Sequence, residues 1–436
     1  MKTAELVIER LALGGSGVGR IDGKVCFVPF SAPGDRLRVR LLKEHRSYCE
    51  AELLEILEPS PARVTPPCSA FGSCGGCDWQ HIDYAAQCRA KQAILTETLQ
   101  RVARLEHPSV AVTKASAQQY GYRARAQFKV HKTAQGLAVG FFRRGSRYVI
   151  DLPQGCPVVT PAINSAMARL RNLLQELPDC DRIPQISLEE GLGGVVAIVH
   201  YIGQAPDRLT ALLVQEQQEL GLAGLFLQSG RKDSLVPVFG SGHLAYQVPR
   251  QGVAAEELVL GYEIGGFSQV NRGQNRAMVD LVGTYAQPEP SWRLLDLYCG
   301  NGNLSLPLSG AVKELLGIEG FAPSIASAVD NAGQLRVNNS TFTCLDVAEA
   351  VHGLDNQHQC FELVVLDPPR AGAYEAVHRL VRLDARRVVY VSCDPGTLAR
   401  DLAILCGAGG YSLIEATPLD MFPQTGHLET VALLQR

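Results

Sequence analysis

The sequence has no run of ~18 apolar residues, the length that a helix needs to cross a bilayer. Its first ten residues, MKTAELVIER, also lack the apolar core of a secretory signal peptide. We therefore expect a cytoplasmic protein with no membrane association. Because thiols stay reduced in that compartment, the 13 cysteines are not expected to form disulfides. Metal binding, catalysis and inert burial remain open for them.

An excess of positive charge is also missing, since the formal net charge is −3. This excludes a uniformly basic nucleic-acid binder but not a local basic surface. Residues 107–150 contain no Asp or Glu, and YRARAQFKVHK (122–132) alternates apolar with basic residues as a half-buried strand would. A solvated polar face is the alternative. The candidate RNA contacts are Arg36, Arg38 and Arg40 on a first basic strand, with Arg123, Arg125, Lys129, Arg143 and Arg144.

The length of 436 residues predicts two or three domains rather than one core. Residues 1–59 carry short strand patterns with glycine turns, which indicate a small β-barrel. Residues 60–262 indicate a central β-rich domain with a cysteine cluster and a helix at about 84–104 that could pack on the C-terminal domain. Residues 263–436 include apolar strand segments between helical stretches (RLLDLY, ELLGIE, FELVVLD and RRVVYVS), the pattern of a doubly wound parallel sheet.

The run LLDLYCGNGNLSL places an acid, Asp296, and two glycines at the end of the first of these strands, where open α/β sheets bind ligands. Ser305 stands where a dinucleotide-binding loop has its third glycine, which favours a nucleoside without phosphate. Glu319 could accept hydrogen bonds from ribose hydroxyls, and Asp346 lies within reach of an adenine amino group. Taken singly, each acid could equally be a helix cap or turn residue.

Cys393, in RRVVYVSCDPGTLARDL, ends a predicted buried strand and precedes a helix. Reactive groups of α/β enzymes lie at such positions. The helix start and the nearby Arg370 are expected to lower the thiol pKa from its reference of ~8.5. The alternative is an inert buried cysteine.

At these positions the sequence resembles the RNA m5U methyltransferase family, in the segments DLYCGNGN, DPPR, SCDPGTLARD and MFPQTGHLE. The resemblance implies a Rossmann-like domain that uses S-adenosylmethionine, with Cys393 as nucleophile and Glu429 as general base. A thiolate that adds to C6 of uracil activates C5 for methyl transfer, and a base then removes the C5 proton so that the thiolate can leave. The implied methyl-donor contacts are Gln269, Tyr298, Asn303, Glu319, Asp346 and Asp367.

Two further segments resemble only part of that family. Residues 1–59 resemble a TRAM domain, a barrel of the oligonucleotide-binding type, and Cys68, Cys74 and Cys77 stand in a C-x5-C-x2-C spacing on a glycine-rich loop. By resemblance these three and Cys156 hold a [4Fe-4S] cluster, with zinc as the alternative. Both features imply the ribosomal RNA branch of the family.

We therefore expect an α/β plus β architecture and a monomer that methylates a flipped uridine from an unpaired segment of 23S rRNA. Methylation of a tRNA uridine is one alternative. A non-catalytic RNA-binding protein on the same fold is the other.

Overall fold

The computed structural model describes residues 2–134, 136–230, 234–253 and 255–436. Its first unit is a closed five-stranded barrel in the order β1–β2–β3–β5–β4, which confirms the predicted barrel. Alternating side chains such as Leu6, Ile8, Leu37 and Val39 fill its interior. Its strands are β1 (Thr3–Leu11), β2 (Gly17–Ile21), β3 (Lys24–Val28), β4 (Arg36–Glu44) and β5 (Tyr48–Glu58).

The first long helix, α1 (Tyr84–Arg101), begins where Asp83 caps it by accepting a hydrogen bond from the Ala86 amide at 2.9 Å. Its apolar residues Ile94, Leu95 and Leu99 are buried in one cluster with residues of the C-terminal domain. The predicted contact between this helix and the C-terminal domain is therefore present.

The central domain is a seven-stranded sheet in the order β12–β11–β10–β9–β6–β7–β8. Helices α2 and α3 contribute to the apolar core on one face, while Gln127, Gln185, Ser187 and His200 line a cleft of about 470 Å³. The strands are β6 (Arg125–Thr133), β7 (Gly136–Phe142), β8 (Val149–Asp151), β9 (Gln185–Gly191), β10 (Gly194–His200), β11 (Gly224–Gln228) and β12 (Leu235–Gly240). The helices are α2 (Pro161–Leu174), α3 (Pro206–Gln215) and α4 (Gln217–Leu220).

A hairpin of β13 (His243–Pro249) and β14 (Glu257–Glu263) follows the central sheet. Its buried residues, among them Leu244 and Leu260, share a core with Met278 of the next helix, α5 (Arg272–Ala286). The same core also contains Val196 and Phe226 of the central sheet, so the hairpin packs between the two domains, and the boundary between residues 262 and 263 stays a prediction.

The C-terminal domain is a second seven-stranded sheet, in the order β17–β16–β15–β18–β19–β21–β20. Its first five strands are parallel, and β21 runs antiparallel to both of its neighbours, β19 and β20, within the expected Rossmann-like methyltransferase domain. The strands are β15 (Arg293–Leu297), β16 (Glu314–Glu319), β17 (Ser340–Cys344), β18 (Leu363–Leu366), β19 (Arg387–Ser392), β20 (Ser412–Leu419) and β21 (Glu429–Gln435). The remaining helices are α6 (Ala322–Gln334), α7 (Val347–Asn356), α8 (Tyr374–Leu380) and α9 (Pro395–Cys406).

The loop of residues 420–428, between β20 and β21, is where the three domains meet. The Gln424 carbonyl accepts hydrogen bonds from the amides of Asp78 and Trp79, both at 3.0 Å. The Trp79 indole donates to the Gly15 carbonyl of the barrel at 2.9 Å. A Cβ added to Gly426 would lie 2.7 Å from the Gly15 nitrogen, so only glycine allows this approach.

Across the described ranges, every helix is too short or too polar to cross a membrane.

Candidate active site

The two residues proposed as nucleophile and base lie side by side at one end of neighbouring strands. β19 and β21 run antiparallel, and Ser392 pairs with Thr430. Cys393 directly follows Ser392, and Glu429 directly precedes Thr430, so both lie one step beyond this pair. The Cys393 side chain is half-buried and Glu429 is only 3% exposed. The sheet register therefore brings together a thiol and a carboxyl that are far apart in sequence.

The turn that follows Cys393 is fixed from both sides. Asp394 caps α9 by accepting hydrogen bonds from the amides of Gly396 at 2.9 Å and Thr397 at 3.0 Å. The Ser392 hydroxyl also bonds to the Asp394 backbone, at 3.1 Å to its carbonyl and 3.2 Å to its amide. Pro395 opens the helix, a position where its missing amide hydrogen costs nothing. These bonds hold the backbone on both sides of the cysteine.

Burial, and then the nearby carboxyls of Glu429 and Asp367, raise the pKa of the Cys393 thiol to about 11. Arg370 lowers this pKa, as predicted, but burial outweighs it. The expectation of a lowered thiol pKa was therefore wrong for the protein alone. The reason is that burial depends on tertiary neighbours that the local motif does not reveal.

The carboxyl groups of Glu429 and Asp367 lie close enough to this thiol to affect its pKa, and their own pKa values are raised as well. Burial, and then the charge of Asp367, raise the pKa of Glu429 well above its ordinary value, while Arg370 opposes them. Burial also raises the pKa of Asp367 to about 7. The Arg370 guanidinium contacts Nδ1 of His427 at 3.0 Å, and burial together with Arg370 lowers the pKa of His427. A neutral His427 can therefore accept a hydrogen bond from Arg370.

The loop after β15 leaves an open position beside the ends of the parallel strands. Tyr298, Gly300 and Gly302 all have left-handed backbones, with φ of 62°, 55° and 85°. A left-handed tyrosine is uncommon and stores strain of the kind found at ligand sites. A Cβ added to Gly300 would meet nothing within 4 Å, so the backbone there is accessible. Asn303 is held by a reciprocal pair of 2.9 Å hydrogen bonds with Asn275 of α5.

Acidic side chains end four neighbouring strand segments, as the sequence predicts. Asp296 is 1% exposed; burial raises its pKa to about 7, the Ser305 hydroxyl lowers it, and Asp367 and Glu319 raise it. Its two oxygens have no hydrogen bond of ordinary geometry to any described residue. Glu319 accepts a hydrogen bond from the Phe321 amide at 2.8 Å.

Asp346 is exposed and caps α7, since its Oδ1 accepts hydrogen bonds from the amides of Ala348 at 2.9 Å and Glu349 at 3.1 Å. It is also close enough to Tyr298 to raise the pKa of that phenol. Both interpretations of this residue, as a helix cap and as part of the cleft, are therefore compatible with its position.

Gln269 lies in the segment before α5 and lines a small cavity with Tyr246 and Asn275. Since Asn275 holds Asn303, Gln269 is adjacent to the loop after β15.

The sequence interpretation missed Asn271, which caps α5 through the Gln274 amide at 3.1 Å and donates to the Met421 carbonyl at 3.2 Å. Its position directly before a helical stretch was the available signal.

The four cysteines of the predicted cluster line a single cavity of about 430 Å³, together with aromatic residues such as Phe71 and Phe141. Burial raises the pKa of Cys77 to about 12 and of Cys156 to about 11, and the other cysteines of the cavity contribute in the same direction. Within the described ranges, no three Cys, His or acidic side chains converge closely enough for one metal ion. The structure thus gathers Cys68, Cys74, Cys77 and Cys156 without showing a metal site.

The three arginines of the predicted basic face on β4 form ion pairs with glutamates. Arg36 pairs with Glu58 at 2.8 Å and with Glu5 at 3.2 Å. Arg38 pairs with Glu55 and Glu5, and Arg40 with Glu52. Glutamates of the flanking strands β1 and β5 therefore share this face with the three arginines, and contact between these arginines and RNA stays a prediction.

Among the candidate RNA contacts of the central domain, some basic side chains have polar or acidic partners and one is exposed. Arg123 donates to the Arg125 carbonyl at 3.0 Å, and Arg125 lies 3.5 Å from Glu189. Lys129 contacts Gln185 and lies 5.4 Å from the Phe142 ring centre.

Arg144 pairs with Asp78, whereas Arg143 is exposed and lies 5.8 Å from the Tyr148 ring centre. An exposed surface of Arg143, Phe142 and Tyr148 therefore remains on the central domain.

Known families match nearly the whole chain. A profile described as tRNA (Uracil-5-)-methyltransferase matches residues 83–436, and one for the TRAM domain of tRNA (uracil(54)-C(5))-methyltransferase matches residues 4–62. The chain belongs to the RNA uracil-5-methyltransferase family. The family predicted from the motifs and the N-terminal TRAM domain are both confirmed.

Relatives in the uracil-5-methyltransferase family align end to end with this chain. An uncharacterized RNA methyltransferase of Thermosynechococcus vestitus is 37% identical, over 99% of this chain and 98% of its own length. The 23S rRNA (uracil(1939)-C(5))-methyltransferase RlmD of Thiobacillus denitrificans is 35% identical, over 97% of both chains. The crystal structure of a Pyrococcus abyssi tRNA (uracil-54, C5)-methyltransferase with S-adenosyl-L-homocysteine superposes with a TM-score of 0.74 and 25% identity, over 99% of this chain and 100% of that one.

Proposed function

We propose that this protein methylates C5 of a uridine in 23S rRNA, using S-adenosylmethionine and a covalent bond between Cys393 and C6. The observation that carries the proposal is the register of β19 and β21, which puts Cys393 and Glu429 at one strand end beside the carboxyl ends of the parallel strands. The RlmD relatives, whose names specify uracil 1939 of 23S rRNA, support the choice of substrate.

The cleft beside β15 fits an adenosyl amino acid. The unpartnered oxygens of Asp296 suit an ammonium group, and the accessible backbone at Gly300 permits close approach. Glu319, oriented by the Phe321 amide, would accept hydrogen bonds from ribose hydroxyls, and Asp346 would accept one from the adenine amino group. The proposed donor contacts are Gln269, Tyr298, Asn303, Glu319, Asp346 and Asp367. When bound, the donor supplies a methyl group on a sulfonium.

The chain's own residues carry the other steps. The Cys393 thiolate forms a bond to C6 of a flipped uridine, and the C5–C6 π electrons move to give an enolate. C5 then forms a bond to the methyl carbon as the sulfonium–methyl bond breaks, which would leave the donor as a neutral thioether. The Glu429 carboxylate removes the C5 proton, the C5–H electron pair restores the double bond, and the C6–S bond breaks to release Cys393 as a thiolate. A raised pKa makes the ionised Glu429 a stronger base for this step.

The proposal includes a [4Fe-4S] cluster held by Cys68, Cys74, Cys77 and Cys156. A zinc ion with four Zn–S bonds of about 2.3 Å would need sulfurs roughly 3.8 Å apart. A cavity of about 430 Å³ with no such convergence among the described residues suits a polynuclear cluster better. When bound, it would join the 68–77 segment to the loop before α2 and provide a structural constraint.

RNA binding is proposed along the cleft on the polar side of the central sheet, which continues to Asn301 and Phe321 beside the donor position. The nucleophile, base and donor residues all lie on one chain, which supports action as a monomer. A ribosomal substrate would place the enzyme in the cytoplasm. A tRNA substrate is the second candidate, because the full-length structural neighbour from Pyrococcus abyssi acts on uracil 54 of tRNA.

The decisive experiment uses RNA with 5-fluorouridine at the target position, whose fluorine cannot be removed as a proton. We expect the wild type to form a covalent RNA–protein adduct on a denaturing gel, and Cys393→Ala to abolish it. Cys344→Ala, which changes an exposed cysteine of the same domain, should leave the adduct unchanged. No adduct with wild type, on rRNA or tRNA, would leave a non-catalytic RNA-binding protein; an undiminished adduct in Cys393→Ala would remove the nucleophile.

A further inference from the structure

The loop of residues 420–428 leads into Glu429, and many of its hydrogen bonds come from outside the C-terminal domain. Gln424 has a left-handed backbone, with φ of 70°, although it is not a glycine. Such a conformation is costly and persists only where surrounding contacts fix it. Gln424 is also 2% exposed, so its polar groups need partners inside the protein.

Those partners come from α1 and the segment before it. The Gln87 side chain donates through Nε2 to Oε1 of Gln424 at 3.0 Å, and its Oε1 accepts from the Gln424 amide at 3.1 Å. The same Nε2 also donates to the carbonyls of Trp79 and Ile82, at 3.1 and 2.9 Å. One side-chain amide from outside the catalytic domain thus bonds to both the side-chain oxygen and the backbone amide of Gln424.

A buried ion pair holds the start of the loop to the same helix. Lys91 and Asp420 are both 0% exposed and in direct contact, and the Lys91 ammonium also donates to the Phe422 carbonyl at 3.2 Å. Burying two charges costs desolvation energy, so such a pair is a poor source of stability, and its best-attested role is to specify one arrangement. Here the arrangement it specifies is that of the loop leading to Glu429.

We propose that Gln87 and Lys91 are positioning residues for the general base: they hold the 420–428 loop so that Glu429 reaches the C5 proton. This inference rests on the proposed function and assigns α1 a role in the last chemical step. It predicts a specific defect. When the loop relaxes, addition of Cys393 to C6 and methyl transfer continue, but removal of the C5 proton slows, because a misplaced base is ineffective at short range.

The test uses Gln87→Met in the full-length protein, with Gln100→Met as matched control on the exposed part of the same helix. For Gln87→Met we expect kcat to fall about tenfold to a hundredfold, with the KM for RNA within about twofold of wild type. With ordinary uridine RNA and a methyl-labelled donor, a labelled covalent RNA–protein adduct should accumulate. The control should match wild type in rate and show no such adduct.

A second variant guards against a folding defect. Lys91→Met/Asp420→Met replaces both charges together, so no unpaired charge is buried, and it should show the same labelled adduct. If either variant folds and turns over at the wild-type rate, or slows without labelled adduct, the positioning role is overturned. Failure of the proposed function is separate: then the wild type itself forms no adduct with 5-fluorouridine RNA.

Discussion

At the scale of single residues, the active site depends on how burial shifts three acidic groups. The Cys393 thiol, Glu429 and Asp367 all have raised pKa values, and Arg370 lowers that of Cys393 and Glu429. The substrate-free site therefore carries less negative charge than its composition implies.

The role of Glu429 makes the first prediction. Glu429→Gln keeps the shape of the side chain but cannot accept the C5 proton, so the reaction should stop after methyl transfer. We expect a methylated RNA–protein adduct to accumulate, visible with labelled donor on a denaturing gel. Free turnover of this variant at the wild-type rate would assign the base elsewhere.

The raised thiol pKa predicts a strong pH dependence. Adduct formation with 5-fluorouridine RNA needs the thiolate, so below the pKa of about 11 its rate should rise with pH. Between about pH 7 and about pH 9 we expect roughly tenfold per pH unit, measured with RNA at concentrations far below its KM. Arg370→Gln should be slower throughout, since Arg370 lowers this pKa. A flat profile would contradict the assignment.

The motifs supply the candidate residues of the site, whereas the pKa shifts of those residues could not be predicted from the motifs. The pairing of Cys393 with Glu429 follows from two motifs at strand ends, and the register bears out their proximity. The direction of the Cys393 pKa shift was mispredicted, because the residues that bury it come from elements far away in the sequence.

At the scale of elements, acidic side chains that follow strands also cap helices. Asp346 caps α7 and Asp394 caps α9, each at the carboxyl end of a strand. The strand patterns predicted β15, β16, β18 and β19 correctly, since buried parallel strands are continuously apolar. The ion pairs of the β4 arginines could not be predicted, because strand neighbours in a barrel cannot be read from one strand alone.

Asp346 allows its two roles to be separated. Asp346→Ala removes the cap and should lower the free energy of unfolding by about 1 kcal/mol, while Asp346→Ser, which can still cap, should stay close to wild type. Both lose the longer carboxylate and should bind the donor about tenfold more weakly. Thermal unfolding and calorimetric titration with S-adenosylmethionine measure the two effects. Unchanged donor affinity in both variants would leave Asp346 only as a cap.

At the scale of the whole molecule, the segment of residues 68–79 links the domains. Its cysteines line a cavity together with residues of the central domain. The amides of Asp78 and Trp79 donate to the 420–428 loop, and the Trp79 indole donates to the barrel. The sequence spacing indicated a cluster but not these contacts, because they depend on how separate domains pack.

The cluster proposal predicts metal content. Protein purified without oxygen should contain about four irons and four sulfides per chain. Cys156→Ser should lose most of both, whereas Cys180→Ser, which changes a buried cysteine outside the cavity, should keep them. Elemental and sulfide analysis provide the measurement, and zinc in place of iron would favour the tetrahedral alternative.

The contact between Gly15 and Gly426 has a consequence for how this protein can be re-engineered. Because a single added methyl group at residue 426 would collide with the barrel backbone, the N-terminal unit is not an interchangeable accessory. A chimera that carried the barrel of a relative would need a residue without a side chain at the position of Gly15. Otherwise the exchanged barrel would displace the 420–428 loop, which leads into Glu429, and under the proposed mechanism turnover would fall.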